Sequence, residues 1–467
     1  MSLEGPGRPL TPPATRAILL VVALVVGLAA FHRFGVLALL VPGLLAVALR
    51  GLPLLPQMGL SVAWGTVYTG LFHLWAWQAD RSGWFALLLT RGLPWALFPL
   101  PQWMWERSRP GQGGPLSRAV LCGTATAVMA AVLTETPAGL DWDLPLAALA
   151  PWPWTLALLP WLGLTGGSAL LGTLSHLLMS ADRRSQGVGG VACGLVLLVN
   201  SWLAQRPTDA APLPPIGLVQ TGWPQEQKWL EVNRQVSKER LIRATGQAAE
   251  KGADLVIWPE TAWPVRGMRA LPEERREVGE VARRLGVEIL ASSWETEPNG
   301  WSNAVTAVDS SGNSGAFQAK RRLIPFQEYL PFPQRLEGLF RARGWHRNGA
   351  HFRPGQSATV FEVAGRSCAV LICYESVVPG PARSVADKVD FLVVMTNDAS
   401  LVSAWPKEAH FRSAVLRAIE CRKPVLQAAN NGVGGWIDER GRVVARTSAD
   451  PFLGWSVLMA GGHPTLR

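Results

Sequence analysis

The chain has 467 residues, room for two or three domains, and is 48% hydrophobic, 17% charged and formally +10 in net charge. The charged share falls below the roughly 25% of an average soluble protein. The shortfall is local: residues 17 to 204 are long apolar stretches, while 206 to 467 have ordinary soluble composition. Lys and Arg are scattered without a basic face or an aromatic-interleaved motif, so no nucleic-acid partner is expected, and attraction to anionic lipid headgroups accounts for the excess.

Residues 1–16, with Arg8 and Arg16, read as a cytoplasmic N-terminal segment. The run 17–31 alone has the length of a signal-peptide core, but the apolar segments behind it make a polytopic protein. The transmembrane helical domain, 17–204, is expected to hold about seven spans, near 17–31, 35–49, 57–78, 83–105, 117–134, 150–180 and 188–204. The first two are short for a bilayer that needs about 20 residues, and Pro151, Pro153 and Pro160 interrupt the sixth. Many of the 22 Trp lie in this half, where interfacial rings are comfortable. Arg107, Arg109 and Arg118 follow the fourth span, and Arg183 and Arg184 the sixth. The loop after the fifth carries Glu135, Asp141 and Asp143 with no Lys or Arg. Positive loops stay cytoplasmic, so the chain beyond 204 is expected on the periplasmic side of a bacterial inner membrane.

A stiff Pro-rich linker, 205–215, leads to a domain covering 216–467. Strands are expected at 216–220, 254–258, 287–292, 369–372, 390–395 and 424–428, and helices at 225–251, 272–285 and 407–422. Hairpins are expected at 303–308 with the turn 309–312, and at 433–446. This alternation argues an α/β domain. Beyond Met459 there is no apolar run long enough to span a bilayer, so the domain is expected to be tethered at one end only.

Three segments carry chemistry. The apolar run 369–372 stops at Cys373, which is how a thiol nucleophile is presented at a sheet edge. Leu255-Val256-Ile257-Trp258-Pro259 stops at Glu260, and Lys320 precedes Leu323-Ile324-Pro325-Phe326. Acyl transfer needs a nucleophile, a proton shuttle and an oxyanion holder. Cys373 is expected to attack, its thiol pKa lowered by Lys320. Glu260 takes the proton. Lys320 steadies the oxyanion, with the backbone N–H of Tyr374. Taken singly, each has a bland reading: a buried cysteine, a carboxylate at a strand end, one member of the cluster Lys320-Arg321-Arg322. The five cysteines (122, 193, 368, 373 and 421) show no CxxC, hence no disulfide framework or zinc spacing. No metal or cofactor is expected. Cys368 opens its strand and is expected buried and unreactive, and His410 is read as a packing or hydrogen-bonding residue.

The surrounding words are Trp258-Pro259-Glu260, the run 320–331, Ile372-Cys373-Tyr374-Glu375, Thr396-Asn397-Asp398-Ala399 and Asn430-Asn431-Gly432. With these the chain resembles the nitrilase (carbon–nitrogen hydrolase) superfamily, and within it the apolipoprotein N-acyltransferase family, over nearly its whole length. The resemblance implies a four-layer αββα sandwich on a polytopic helical membrane domain. It implies a ping-pong reaction: Cys373 takes an acyl chain from a phospholipid, phosphatidylethanolamine foremost, as a thioester. The α-amino group of a diacylglyceryl-cysteine lipoprotein then receives it. Glu260, Lys320 and Cys373 match the family's triad, Glu328, Tyr374 and Glu375 its supporting residues, and Trp229 an aromatic of substrate handling. Glu328 and Glu375 have a second reading, orienting Lys320 or a loop. Membrane attachment suits substrates whose extraction costs about 0.8 kcal/mol per CH₂. The chain departs from the family at Gln327, where Gly is usual, at Ser400-Leu401, where aromatics are usual, and in lacking a clear final span. The competing readings are a membrane-tethered amidase with water as acceptor, and a catalytically silent scaffold.

Overall fold

The computed structural model describes residues 11–32, 34–110, 113–208, 211–297, 300–330, 352–448 and 455–461. Most of the segment 1–16, Arg33, linker positions 209 and 210, Pro331, and 462–464 lie outside the described residues. The chain divides into two compact units, Met1–Pro207 and Thr208–Arg467.

The first unit is helical. Among the described residues three helices are long and apolar enough to cross a membrane: Pro13–His32, Pro115–Glu135 and Arg183–Gln205. The other expected spans resolve into shorter or bent pieces, each with a local cause. A 3₁₀ turn, Gly35–Leu40, precedes the helix Val41–Leu49. The helix Leu54–Phe72 stops at His73. The region 83–105 passes from α-helix through a π turn, Leu88–Gly92, into the 3₁₀ turn Leu93–Leu97, where Pro94 lacks an N–H to donate. The helix Leu159–Leu178 bends at Gly163, whose φ of 60° only glycine adopts cheaply. Asp141 and Asp143, read from sequence as loop charges, are buried instead. The Arg91 guanidinium grips the Asp143 carboxylate and also donates to the carbonyls of Leu133 (3.1 Å) and Leu140 (2.8 Å).

The second unit is built on two six-stranded sheets. The first runs β12-β1-β2-β3-β4-β5 and the second β11-β10-β9-β8-β7-β6. Their ranges are β1 Ile216–Gln220, β2 Leu255–Ile257, β3 Glu288–Glu297, β4 Gly300–Val308, β5 Ser314–Ala319, β6 Val360–Val363, β7 Arg366–Ile372, β8 Phe391–Asn397, β9 Val425–Asn430, β10 Gly435–Ile437, β11 Val443–Arg446 and β12 Ser456–Ala460. At the centre of each sheet three strands run parallel, β1-β2-β3 and β7-β8-β9. These strands are buried on both faces and therefore read as continuous apolar runs. Alternate residues sort between layers. Ile216, Leu218, Leu255 and Ile257 meet Cys368, Val370, Ile372 and Val393 between the sheets. Val219, Val256 and Ile289 face the helices Glu231–Glu250 and Pro272–Leu285. The helix Ala404–Cys421, almost wholly buried, covers the second sheet. The result is the αββα sandwich. Buried glutamines tie the sheets together: Gln220 Nε2 donates to the Gly432 carbonyl (2.7 Å) and Gln318 Nε2 to that of Val370 (2.8 Å).

Three local readings change. The expected helix 225–251 is split into Gln225–Lys228 and Glu231–Glu250, with Trp229 and Leu230 between. β6 was not anticipated. The run Trp455 to Met459, too short for a span, forms β12, antiparallel to β1. Its alternation is that of a strand, with Val457 and Met459 towards the helices and Leu458 and Ala460 between the sheets.

Candidate active site

Strand C-termini from both sheets converge here, the usual place for ligands on parallel strands. Glu260 follows β2, Lys320 follows β5 directly, Cys373 follows β7 directly, and Asn397 closes β8. Backbone strain gathers with them. Thr261, Phe326, Cys373 and Asn431 are non-glycine residues at φ between 51° and 64°. Each such conformation costs on the order of 1–3 kcal/mol and persists only where its surroundings enforce it.

Glu260 is buried and fully engaged. Its Oε1 accepts from Asn303 Nδ2 (2.5 Å) and lies 3.6 Å from Lys320 Nζ, and its Oε2 accepts from the Asn397 N–H (2.7 Å). Asn397 is itself fixed: its Oδ1 accepts from Asn430 Nδ2 (2.7 Å) and its Nδ2 donates to Gln225 Oε1 (3.0 Å). Asn430 Oδ1 accepts from the Thr221 hydroxyl and the Trp223 N–H, both at 2.8 Å. The words Thr396-Asn397-Asp398 and Asn430-Asn431-Gly432 therefore form a clamp on the Glu260 carboxylate. At Gly432 any side chain would strike the carboxylate of Asp398.

Lys320 is fully buried, and its Nζ donates to Glu328 Oε1 at 2.8 Å. Glu328 Oε2 accepts from the Ile324 N–H (2.7 Å), and the Phe326 N–H donates to the Tyr329 carbonyl (2.7 Å), which closes the turn between them. In that turn the positive φ, 64°, falls on Phe326 rather than Gln327, so the backbone does not demand glycine where the chain carries Gln327. Burial works against the Lys320 charge, but Glu328 and Glu260 outweigh it and hold the ammonium above its ordinary pKa.

Cys373 opens the 3₁₀ turn Cys373–Ser376 at φ 52°. Two groups lock that turn. Glu375, fully buried, accepts from the N–H groups of Ile372 (2.8 Å), Arg321 (2.8 Å) and Arg322 (3.2 Å), which ties the nucleophile's turn to the segment beside Lys320. His410 Nε2 lies 3.3 Å from the Cys373 carbonyl and 3.0 Å from Ser376 Oγ, while its Nδ1 meets Asp398 Oδ1 at 2.8 Å. Burial lowers the pKa of His410, but Asp398 outweighs it and raises it.

The expectation that Lys320 lowers the thiol pKa is overturned. Burial, and then the Glu260 charge, push the Cys373 thiol well above its ordinary value; Lys320 and a hydrogen bond from Thr396 only moderate this. The resting sulfur is a thiol whose base stands beside it. Cys368 is fully buried in the inter-sheet core, and burial raises its pKa strongly.

Tyr374 follows Cys373 within the turn. Trp229 stacks on Trp294 with centroids 4.1 Å apart, and Trp294 meets Phe352 edge-on at 5.4 Å. Sequence reasoning missed Asn303, Lys228, the clamp role of Asn397 and the Asp398–His410 pair. Asn303 had one visible signal, an amide within the apolar run of β4. Among the described residues no three His, Cys, Asp or Glu side chains gather as a metal-binding set.

The family model described as carbon-nitrogen hydrolase matches residues 216–451. A Brucella melitensis protein named apolipoprotein N-acyltransferase is 29% identical over 451 residues, covering 90% of this chain and 84% of its own. One of the same name from Azotobacter vinelandii is 29% identical over 445 residues, covering 88% and 82%. Among solved structures, a mutant of the Nesterenkonia AN1 amidase from the nitrilase superfamily is 18% identical, with a TM-score of 0.40, over 55% of this chain and 92% of its own.

Proposed function

The chain belongs to the carbon–nitrogen hydrolase family, and we propose that it is a membrane-bound N-acyltransferase working through Glu260, Lys320 and Cys373. The observation that carries this reading is the meeting of three functional groups from separate strand ends. The Glu260 carboxylate lies 3.6 Å from the Lys320 ammonium, and both charges act on the Cys373 thiol. The relatives' shared name supports acyl transfer to lipoproteins.

In the first half-reaction the sulfur attacks an ester carbonyl of a phospholipid as its proton passes to Glu260. Because the resting thiol holds its proton tightly, attack and proton transfer are concerted. Lys320 Nζ, with the Tyr374 N–H, faces the tetrahedral oxyanion. Collapse breaks the C–O bond, Glu260 returns the proton to the glycerol oxygen, and a lysophospholipid leaves behind an acyl-thioester on Cys373. In the second half the α-amine of a diacylglyceryl-cysteine attacks that thioester, and Glu260 passes the amine's proton to the departing sulfur. Glu328 and Glu375 are positioning groups in this scheme, the first for Lys320 and the second for the cysteine turn. Trp229 is a contact for the acyl-bearing substrates. Phosphatidylethanolamine is the proposed donor. The proposed setting is a multi-pass inner-membrane protein of about seven spans with the 216–467 domain on the periplasmic side.

Incubating the full chain with phospholipid vesicles and a diacylglyceryl lipopeptide is expected to yield lipopeptide heavier by one acyl chain, with an equal yield of lysophospholipid. Free fatty acid with unmodified lipopeptide would establish water as the acceptor and an amidase-type hydrolase instead. No turnover at all would favour a silent scaffold.

A further inference from the structure

Lys228 ends the helix Gln225–Lys228 and is only 4% exposed. Its ammonium donates to the Glu260 carbonyl (3.0 Å) and to the Thr261 hydroxyl (2.6 Å). Among the described residues no carboxylate is in ion-pair contact with it and its third N–H has no hydrogen-bond acceptor. A buried ammonium held only by neutral acceptors is costly, and an apolar side chain of similar volume would fill the space at less cost. Its neighbours suggest what offsets that cost.

The first is the turn it grips. Thr261 is a β-branched residue at φ 51°, a conformation that needs enforcement. Ser292 Oγ accepts its N–H (2.9 Å) on one side, and Lys228 holds its hydroxyl and the preceding carbonyl on the other. The turn determines where the Glu260 carboxylate points. The second is charge. Glu260 and Glu328 face a single ammonium, that of Lys320, beside a sulfur that must become negative. Lys228 adds the second positive charge and interacts electrostatically with both Glu260 and Cys373.

We propose that Lys228 is a second lysine of this active site: a positioning residue that fixes the Glu260–Thr261 turn and whose positive charge favours negative charge on the Cys373 sulfur. The inference rests on Cys373 being the nucleophile, but not on the identity of donor or acceptor. Burial draws the Lys228 ammonium down to about 7, against the pull of Glu260 and Cys373, so its charge is exchangeable in the neutral range. The groups facing the thiol are Glu260, Lys320, Asp398 and Lys228, with Thr396 hydrogen-bonded to it and His410 on its carbonyl.

The test is the pH profile of Cys373 alkylation by iodoacetamide in the detergent-solubilised full chain, read by intact mass. It is run alongside the rate of acyl-thioester formation from phospholipid vesicles. Lys228→Met removes the charge and both hydrogen bonds. Lys228→Gln removes the charge and keeps an N–H for the Glu260 carbonyl, and serves if the methionine variant does not fold. Lys228→Arg keeps the charge. Losing a neighbouring positive charge is expected to raise the alkylation midpoint by about one pH unit in the Met and Gln variants. Thioester formation is expected to slow about 100-fold, the cost of roughly 1 Å of misplacement at a reacting centre. The arginine variant is expected to keep the native midpoint. An unchanged midpoint in the uncharged variants, or an equal rise in Lys228→Arg, would overturn the proposal and leave Lys228 a packing residue. Because alkylation needs no lipid, that failure is distinct from failure to find an acyl donor.

Discussion

Replacing Glu260 by Gln is expected to make Cys373 more reactive towards small alkylating agents while nearly abolishing acyl transfer. The structure supplies the reasoning for both halves. The Glu260 charge is, after burial, the largest influence holding the thiol's proton in place. It also offsets Lys320: at 3.6 Å the pair attract by about 5 kcal/mol for an effective dielectric near 20, an upper figure before desolvation is counted. Removing the carboxylate both relieves repulsion of the thiolate and frees the Lys320 field to act on sulfur. A net fall of one pKa unit, equal to about 1.4 kcal/mol, gives roughly tenfold more thiolate at neutral pH. The variant can be accommodated. Asn303 Oδ1 has no hydrogen-bond partner among the described residues, so its amide can flip to accept the new side-chain N–H. Loss of a general base costs about 10²–10⁴-fold. The assays are the iodoacetamide rate at pH 7 and the rate of thioester formation. Alkylation that slows in Glu260→Gln would mean that the native site already holds a carboxylate-stabilised thiolate, and would refute the concerted proton transfer argued above.

Other expectations follow from single contacts. Cys368→Ala is expected to keep acyl transfer and Cys373→Ala to lose it, as checked by product mass. Glu375→Ala frees three backbone N–H groups, each costing about 1–3 kcal/mol when buried and unmade, and thioester formation should fall at least 100-fold. The folded pKa of His410 is raised, so its stabilising share is full below the unfolded value near 6.5 and is lost as pH rises through the folded value. Melting temperature should therefore fall more steeply with pH above 6.5 in the native chain than in His410→Gln. Trp229→Ala removes a stacked pair worth about 0.5–1.5 kcal/mol beyond buried area; apparent KM for the lipid substrates should rise more than kcat falls.

Much of the catalytic domain was legible in the sequence because parallel strands buried on both faces announce themselves as apolar runs. That is why Glu260 and Cys373 could be placed at strand ends. The edge strands were harder. β6 is four residues long and only partly buried, and β12 resembled a remnant of a membrane segment until its pairing with β1 separated Val457 and Met459 from Leu458 and Ala460. The helix expected at 225–251 broke at Trp229 and Leu230 because the Trp229 ring leaves the helix line to stack on Trp294, a contact between residues distant in sequence. The residues that hold the triad in place are polar groups with no local pattern: Asn303, Asn397, Lys228, Asp398 and His410 acquire roles only from what folding brings beside them. The direction of the Cys373 shift was misjudged for the same reason, since an adjacent lysine can be read from sequence order while burial and a second carboxylate cannot. In the helical unit, Asp143 read as an exposed loop charge because its partner Arg91 lies 52 positions away.

The central claim is that the acyl chain passes through sulfur at Cys373. Brief incubation of the full chain with phospholipid vesicles of defined acyl composition, followed by intact mass and fragmentation, tests it most directly. The account predicts a single acyl adduct on Cys373, labile to hydroxylamine, that is discharged when a diacylglyceryl lipopeptide is added, with matching N-acylated product. Product formed at the native rate with no adduct on Cys373, or an adduct that survives in Cys373→Ala, would contradict it.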